Sequence, residues 1–298
     1  MQHLAIRSRQ PVMLLICLAL SGVVALTIHV AMLAAGVPFP IANPPLWARW
    51  MNLSVTMGGA ILLVKWSAPR LAGFGTAGRI AVIWLILMAV RETARSAIMQ
   101  GVVTTAWWFA AASLIDPVGR SLILALLAIF ASRHVSGTAS LIPAASLTGL
   151  IALGAQMLLT SSVAPLLEHL SYLSRQEIYS FPYPIKVLIP AYLTFVEPVA
   201  GATFALILAW DRLPRSRVAR LVTCALLVAA LKGVLGATIF FGPYTGRNAV
   251  PGLLSWSQFL LEFLALGLLV GWSLAVFGGS QSNPGSPVHE TPEPARRP

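Results

Sequence analysis

The sequence predicts an all-α polytopic integral membrane protein, and three observations support this fold class. Only 10% of the 298 residues are charged and 57% are apolar, whereas a soluble domain carries about 25% charged residues. The apolar residues come in runs of about 20, the length that an α-helix needs to cross a hydrocarbon core. The runs also lack the strict alternation of apolar and polar residues that is typical of strands in a membrane barrel.

Eight apolar segments are predicted to span the membrane within a transmembrane domain of residues 1–277. They are residues 12–35, 51–66, 79–101, 118–133, 139–162, 187–210, 219–241 and 254–277. The first segment is too long for the apolar region of a signal peptide, so we interpret it as an uncleaved span. Residues 278–298 are rich in Gly, Ser and Pro, which predicts a disordered cytoplasmic tail.

The basic residues predict that both termini are cytoplasmic. In the eight-span topology the cytoplasmic side holds Arg7, Arg9, Lys65, Arg70, Arg79, Arg133, Arg212, Arg215, Arg217, Arg220, Arg296 and Arg297. The outer side holds Arg49, Arg120, Arg175, Lys186 and Arg247. An excess of Lys and Arg on the cytoplasmic side is the usual pattern, and it explains the net charge of +11 without a nucleic-acid partner. The short cytoplasmic loops favour a bacterial inner membrane.

The outer loops are predicted to lie on the membrane surface. Residues 36–50 and 102–117 each carry two tryptophans, which is typical of anchors at the lipid headgroups. The segment from Pro165 to about residue 180 has leucines at helical spacing, which predicts a separate amphipathic interfacial helix.

A weak internal repeat relates the two halves of the chain. A shift of 141 positions aligns spans two to four with spans six to eight without a gap, and it matches Arg79 with Arg220 and Arg91 with Lys232. Four spans in each half would give both halves the same orientation, which is a parallel 4+4 repeat. Apolar helices also align by chance, so the repeat is a hypothesis.

Six charged residues fall inside predicted spans and form the candidate site: Arg91, Glu92, Arg95, Glu197, Lys232 and Glu262. Each would cost about 2.5–3.5 kcal/mol near the bilayer centre, so we expect them to face protein or water. They are predicted to share one level in the outer half of the membrane, as a polar cavity or a buried ion network. His29 lies at a similar depth and is interpreted as a packing histidine.

The spacing of these residues suggests pairings. Glu92 precedes Arg95 by three positions, so the two side chains can meet on one helix face. Two Arg residues one turn apart could bind a phosphate or a carboxylate. Alternatively, span three ends near Val90, its Arg side chains reach the outer headgroups, and residues 97–115 form another span or a re-entrant segment.

The carboxylates of later spans have two interpretations each. Glu197 precedes Pro198, so a bent helix could carry a proton-coupling carboxylate, or Glu197 could simply pair with Lys232. Glu262 is expected to pair with Lys232 or with an Arg of span three.

No cofactor or metal site is predicted. Cys17 and Cys224 lie inside apolar runs, and His29 has no second histidine at ligand spacing. The sequence also lacks a Walker loop, GxGxxG, HExxH, GxSxG and a pair of span histidines for haem. These absences argue against an ATPase, a zinc protease or a haem protein.

Three functions remain open. The first is a secondary transporter or permease component for a small anionic solute, because intramembrane charges mark transport pathways. The second is an intramembrane enzyme that acts on a lipid-linked phosphate, with Glu92 or Glu262 as general base. The third is a sensor or assembly subunit without catalytic activity. Membrane lipids are the expected partners, and the sequence does not determine the oligomeric state.

Overall fold

A computed structural model describes residues 10–41, 43–244 and 249–278 of the chain. Within these ranges the chain is helical and contains no β-strand. The helices are α1 (Pro11–Ala34), α2 (Leu46–Ser67), α3 (Thr76–Val90), α4 (Thr93–Thr104), α5 (Trp107–Ser113), α6 (Ile115–Ser132), α7 (Thr138–His169), α8 (Ile185–Thr194), α9 (Val196–Ala209), α10 (Arg217–Lys232), α11 (Val234–Phe241) and α12 (Ala249–Phe277). The basic residues Arg7, Arg9, Arg247, Arg296 and Arg297 and the predicted tail from residue 279 lie outside the described residues.

Several of these helices are long and apolar enough to cross a membrane. In the described part of the chain these are Pro11–Ala34, Trp107–Ser132, Thr138–His169, Ile185–Arg212 and Ala249–Phe277. A sixth forms if Arg217–Lys232 and Val234–Tyr244, which meet at a bend of 71°, make one span. The all-α class is therefore confirmed for the described residues, and the five or six long apolar helices agree with a multi-pass membrane protein. The number eight, the orientation and the repeat stay predictions.

Helix boundaries on the outer side differ from the predicted ones. Residues 102–117 were expected to form a loop, yet α5 and α6 nearly join there into one helical segment, Trp107–Ser132. The predicted separate helix from Pro165 is also wrong, because α7 continues through Pro165 to His169 and short 3₁₀ turns follow. A proline inside a helix removes one backbone donor, and the remaining hydrogen bonds carry α7 past it.

Two predicted spans are interrupted. Span three was expected to run from 79 to 101 as one helix, but α3 ends at Val90 and α4 begins at Thr93. Between them Glu92 has a left-handed backbone conformation, with φ 60° and ψ 39°. Span seven is interrupted in the same way at Gly233, which has φ 90°. We call residues 91–92 and 232–233 the two helix breaks; they lie 141 positions apart, which is the offset of the predicted repeat.

Similar pairs of helices are in contact when predicted spans one to four are matched in order with spans five to eight. Helix α2 packs against α7, and α9 packs against α1. Helix α3 packs against α9 and α6, whereas α10 packs against α2 and α12. Helix α6 packs against α7, and α12 packs against α1. Under the predicted repeat, the two helix breaks would lie at corresponding positions in the two halves.

Glycines allow close helix contacts beside the breaks. A Cβ at Gly201 of α9 would lie 2.6 Å from the backbone nitrogen of Val90, where α3 ends. A Cβ at Gly267 of α12 would lie 2.7 Å from the carbonyl oxygen of Cys224 in α10. Gly271 also faces Cys224, so the GxxxG pair of α12 packs inside the protein against α10.

Candidate functional site

The two helix breaks are in direct contact. Arg91 Nη1 donates a hydrogen bond of 3.3 Å to the carbonyl oxygen of Lys232, the last residue of α10. Gly233 has no side chain, and a Cβ there would lie 3.5 Å from Arg91 Nη1 and 3.2 Å from Thr56 Oγ1. The ends of α3, α4, α10 and α11 therefore come together at one place in the protein.

Glu92 connects the charged residues of both breaks. Its side chain is 11% exposed, and its Oε1 accepts a hydrogen bond of 2.5 Å from Arg95 Nη1. Its Oε2 accepts a hydrogen bond from Lys232 Nζ, which lies across the interface on α10. The spacing suggested the contact with Arg95, whereas the contact with Lys232 was not among the predicted pairings.

Glu197 binds backbone rather than a cation. Its two carboxylate oxygens accept hydrogen bonds from the backbone N–H groups of Ala94, at 2.9 Å, and of Arg95. These N–H groups lie in the first turn of α4, where an α-helix leaves donors unsatisfied and carries partial positive charge. The suggested pairing of Glu197 with Lys232 is therefore wrong. The helix is interrupted at Phe195, between α8 and α9, and Pro198 falls in the first turn of α9.

Glu262 also differs from its predicted pairing. It is 2% exposed, and among the described residues the basic group within 4 Å of its carboxylate is His29, whose Nδ1 lies 3.8 Å from Oε2. This distance is too long for a hydrogen bond. The predicted partner Lys232 lies over the ring of Phe263 at 4.6 Å instead. His29 packs against Phe259, with ring centroids 4.7 Å apart.

Arg91 has no carboxylate partner among the residues that the structure describes. Its neighbours across the break are neutral polar residues of α2. Thr56 and Asn52, one helical turn apart, both lie beside Gly233. Within the described residues the buried Oδ1 of Asn52 accepts no hydrogen bond. Arg91, Asn52 and Thr56 thus form a polar group that contains a cation and no anion.

Sequence reasoning missed Asn52 and Thr56. Neutral polar residues are inexpensive in membrane helices, so attention falls on charges first. Their i, i+4 spacing, which places both on one face of α2, was the available signal.

The alternative interpretation of span three is correct in one respect and wrong in another. Helix α3 does end at Val90, and residues 97–115 are divided between α4, α5 and the start of α6. However, the side chain of Arg95 is only 18% exposed, contacts Glu92 and lies over the ring of Phe195 at 5.1 Å. Arg95 therefore faces the protein and does not extend to lipid headgroups.

The six predicted residues are thus distributed over one contiguous region. Arg91, Glu92, Arg95, Lys232 and Glu197 are linked through hydrogen bonds, and we call these five residues the charge network. Glu262 lies beside the network without a hydrogen bond to it, within electrostatic reach of Glu92 and Lys232. In the described ranges no group of three His, Cys, Asp or Glu side chains could hold a metal ion.

Comparison with known proteins gave no match, whether to a family model, to a curated protein or to a solved structure.

Proposed function

We propose that the protein is a secondary transporter for a small anionic solute, with its binding site where the two helix breaks meet. The observation that carries this proposal is the direct contact between two interrupted apolar helices, made through Arg91 and the end of α10. Interrupted helices near the middle of the membrane form the solute and ion sites of many secondary transporters, because their free ends offer unpaired backbone groups.

The proposal includes eight spans in two parallel halves. The spans are α1, α2, α3 with α4, α5 with α6, α7, α8 with α9, α10 with α11, and α12. The common offset of the two helix breaks and the recurring packing contacts support a 4+4 repeat. The excess of basic residues in the loops at one end supports cytoplasmic termini.

Arg91 is the group that would hold the anion. The other two cations of the charge network, Arg95 and Lys232, already donate to Glu92. Arg91 donates to one backbone carbonyl, which leaves most of its five N–H groups for a ligand. A guanidinium binds a carboxylate or phosphate through two parallel hydrogen bonds. The amide nitrogen of Asn52 would supply a neutral donor beside it, and Thr56, whose hydroxyl donates to the carbonyl oxygen of Asn52, would line the site.

A proton would accompany the anion. The network together with Glu262 contains three cations and three carboxylates, so a bound anion would leave one uncompensated charge in the membrane. Such a charge is costly, and uptake of one proton removes it. Glu262 and His29, whose Oε2 and Nδ1 atoms are 3.8 Å apart, are the groups that would take up that proton, whereas Glu197 accepts hydrogen bonds from the first turn of α4.

Uptake by reconstituted vesicles tests this function. The purified chain in proteoliposomes should accumulate at least one member of a panel of labelled small carboxylates and phosphates when an inward proton gradient is applied. Arg91→Gln should abolish uptake, and Arg91→Lys should retain a fraction, because it keeps the charge and loses the bidentate geometry. Arg175→Gln, at an exposed loop position, is the matched control and should leave uptake unchanged.

Two results would overturn the proposal. One is uptake by Arg91→Gln at the rate of the unaltered protein. The other is the absence of uptake for the whole panel under every gradient, and conversion of a lipid-linked phosphate by the same vesicles would then favour an enzyme.

A further inference from the structure

A second polar region lies at the start of α3, at the opposite end of that helix from the charge network. A cavity of about 410 Å³ opens there between the end of α2, the start of α3 and the end of α6. Three basic side chains line it, Lys65, Arg79 and Arg133, together with the hydroxyl groups of Thr76 and Ser132. No Asp or Glu is among its lining residues. We call this space the basic cavity.

The basic side chains are held in place by contacts that leave donors free. Arg79 Nε donates to the carbonyl oxygens of Phe74 and Leu71, at 3.0 and 3.2 Å, and its Nη2 donates to Ala72. These bonds orient the guanidinium and do not use Nη1. Lys65 donates to the carbonyl oxygen of Val135 with one of its three N–H groups. A ligand would therefore meet donors that are already oriented.

Arg133 provides the most accessible charge of the basic cavity. Its guanidinium lies over the ring of Phe130 at 5.2 Å, and it forms no ion pair with the described residues. The remaining wall is apolar and includes Val64, Ile83 and Ile129. A basic rim above an apolar wall suits an amphiphile whose head is anionic.

A similar cavity occurs at the corresponding place in the second half of the chain. It has a volume of about 280 Å³ and is lined by Arg217 and Arg220 in the first turn of α10, by Arg215 just before that helix, and by the end of α12. Arg220, at the repeat offset from Arg79, likewise donates through Nε to a carbonyl oxygen of the preceding loop, that of Pro214, at 2.9 Å. The same arrangement of an anchored Arg beside a basic cavity thus occurs twice.

We propose that the basic cavity binds a phosphate group, and that an anionic phospholipid of the adjacent leaflet supplies it. Lys and Arg donors around a phosphate give short, charge-assisted hydrogen bonds. Basic pockets between membrane helices on the cytoplasmic side are suited to anionic headgroups, and the predicted orientation faces this cavity to that leaflet. The inference is independent of the proposed transport activity, because it involves none of the residues of the charge network.

Lipid titration of the detergent-purified chain tests the inference. Thermal stability and native mass spectrometry are measured against phosphatidylglycerol, phosphatidylcholine, inorganic phosphate and glycerol 3-phosphate. Phosphatidylglycerol should stabilise the protein and remain bound, phosphatidylcholine should not, and added salt should weaken the effect. Arg133→Gln and Lys65→Gln should each weaken binding about tenfold, because each removes a charge-assisted hydrogen bond.

The controls distinguish lipid binding at a local site from a nonspecific effect of the protein's net charge. Arg175→Gln removes the same charge at an exposed position of another loop and should bind phosphatidylglycerol as before. Arg133 is exposed, so its variant should melt normally without lipid, which shows that it folds. Equal binding of the two phospholipids, or full binding by Arg133→Gln, would overturn the site. Equal stabilisation by free phosphate would overturn the lipid as the source of the phosphate.

Discussion

Replacing Glu92 by Gln should destabilise the protein by about 3–5 kcal/mol, the usual cost of breaking a buried ion pair on one side. The side chains of Glu92 and Lys232 are 11% and 15% exposed, so solvent screens their interaction little. The carboxylate receives hydrogen bonds from Lys232 and Arg95, and charge-assisted bonds contribute about 1.5–3 kcal/mol each. The Gln amide can accept one of them without charge, and it leaves two cations without a carboxylate.

The pair with Lys232 can be isolated by a double-mutant cycle. Lys232→Met alone should cost about 2–3 kcal/mol, because Glu92 keeps Arg95 as a partner. In the double variant, Glu92→Gln should cost less than it does alone. Lys232 is one of the two cations that this change leaves without a carboxylate, and Lys232→Met has already removed it. We expect a coupling free energy of at least about 1 kcal/mol, above the 0.3–0.5 kcal/mol scatter of independent sites.

Unfolding of the detergent-purified protein by added sodium dodecyl sulfate, followed by circular dichroism, gives the required free energies. Glu177→Gln removes a carboxylate from an exposed loop and is the matched control, with an expected change below about 0.5 kcal/mol. Additive free energies for the Glu92 and Lys232 variants would refute the contact between the two helix breaks, because residues that do not interact contribute independently.

Two further predictions concern α4 and the orientation. Glu197→Ala should destabilise the protein by roughly 2–6 kcal/mol, because it leaves the N–H groups of Ala94 and Arg95 without acceptors at about 1–3 kcal/mol each. The same detergent titration measures this free energy. A change below about 0.5 kcal/mol would contradict the role of Glu197 as a cap of α4. In a cysteine-free variant, Arg212→Cys should react with a membrane-impermeant maleimide only from the cytoplasmic side and Arg175→Cys only from the outer side. Labelling of both positions from the same side would contradict the eight-span topology.

The all-α membrane class could be predicted because one strong physical constraint determines it. A backbone surrounded by lipid must satisfy its own hydrogen bonds, and a run of about 20 apolar residues does so as an α-helix. Several boundaries were less certain, because they depend on short-range alternatives of similar free energy. Helix α7 continues past Pro165, although a proline there favoured a new helix start in the sequence.

The residues of the candidate site could be selected from sequence because charges inside apolar runs are rare and costly. Which of these residues pair with each other could not be predicted from the sequence. Lys232 was expected to be a partner of Glu197 or Glu262, and it contacts Glu92 instead. A pairing of residues 140 positions apart depends on how the helices pack, and a single sequence contains no direct record of that packing.

The sequence by itself determined that this protein is a bundle of apolar helices with a few charges in its interior, since both properties follow from the transfer of residues between water and lipid. Only the tertiary structure decided that two of these helices are interrupted and that their breaks meet. Glu92 adopts a left-handed conformation that costs an L-residue about 1–2 kcal/mol and has no signature in a run of helix-forming residues. That conformation is stable because Glu197 accepts the N–H groups of α4 and Lys232 contacts the Glu92 carboxylate, and both partners come from helices distant in the chain.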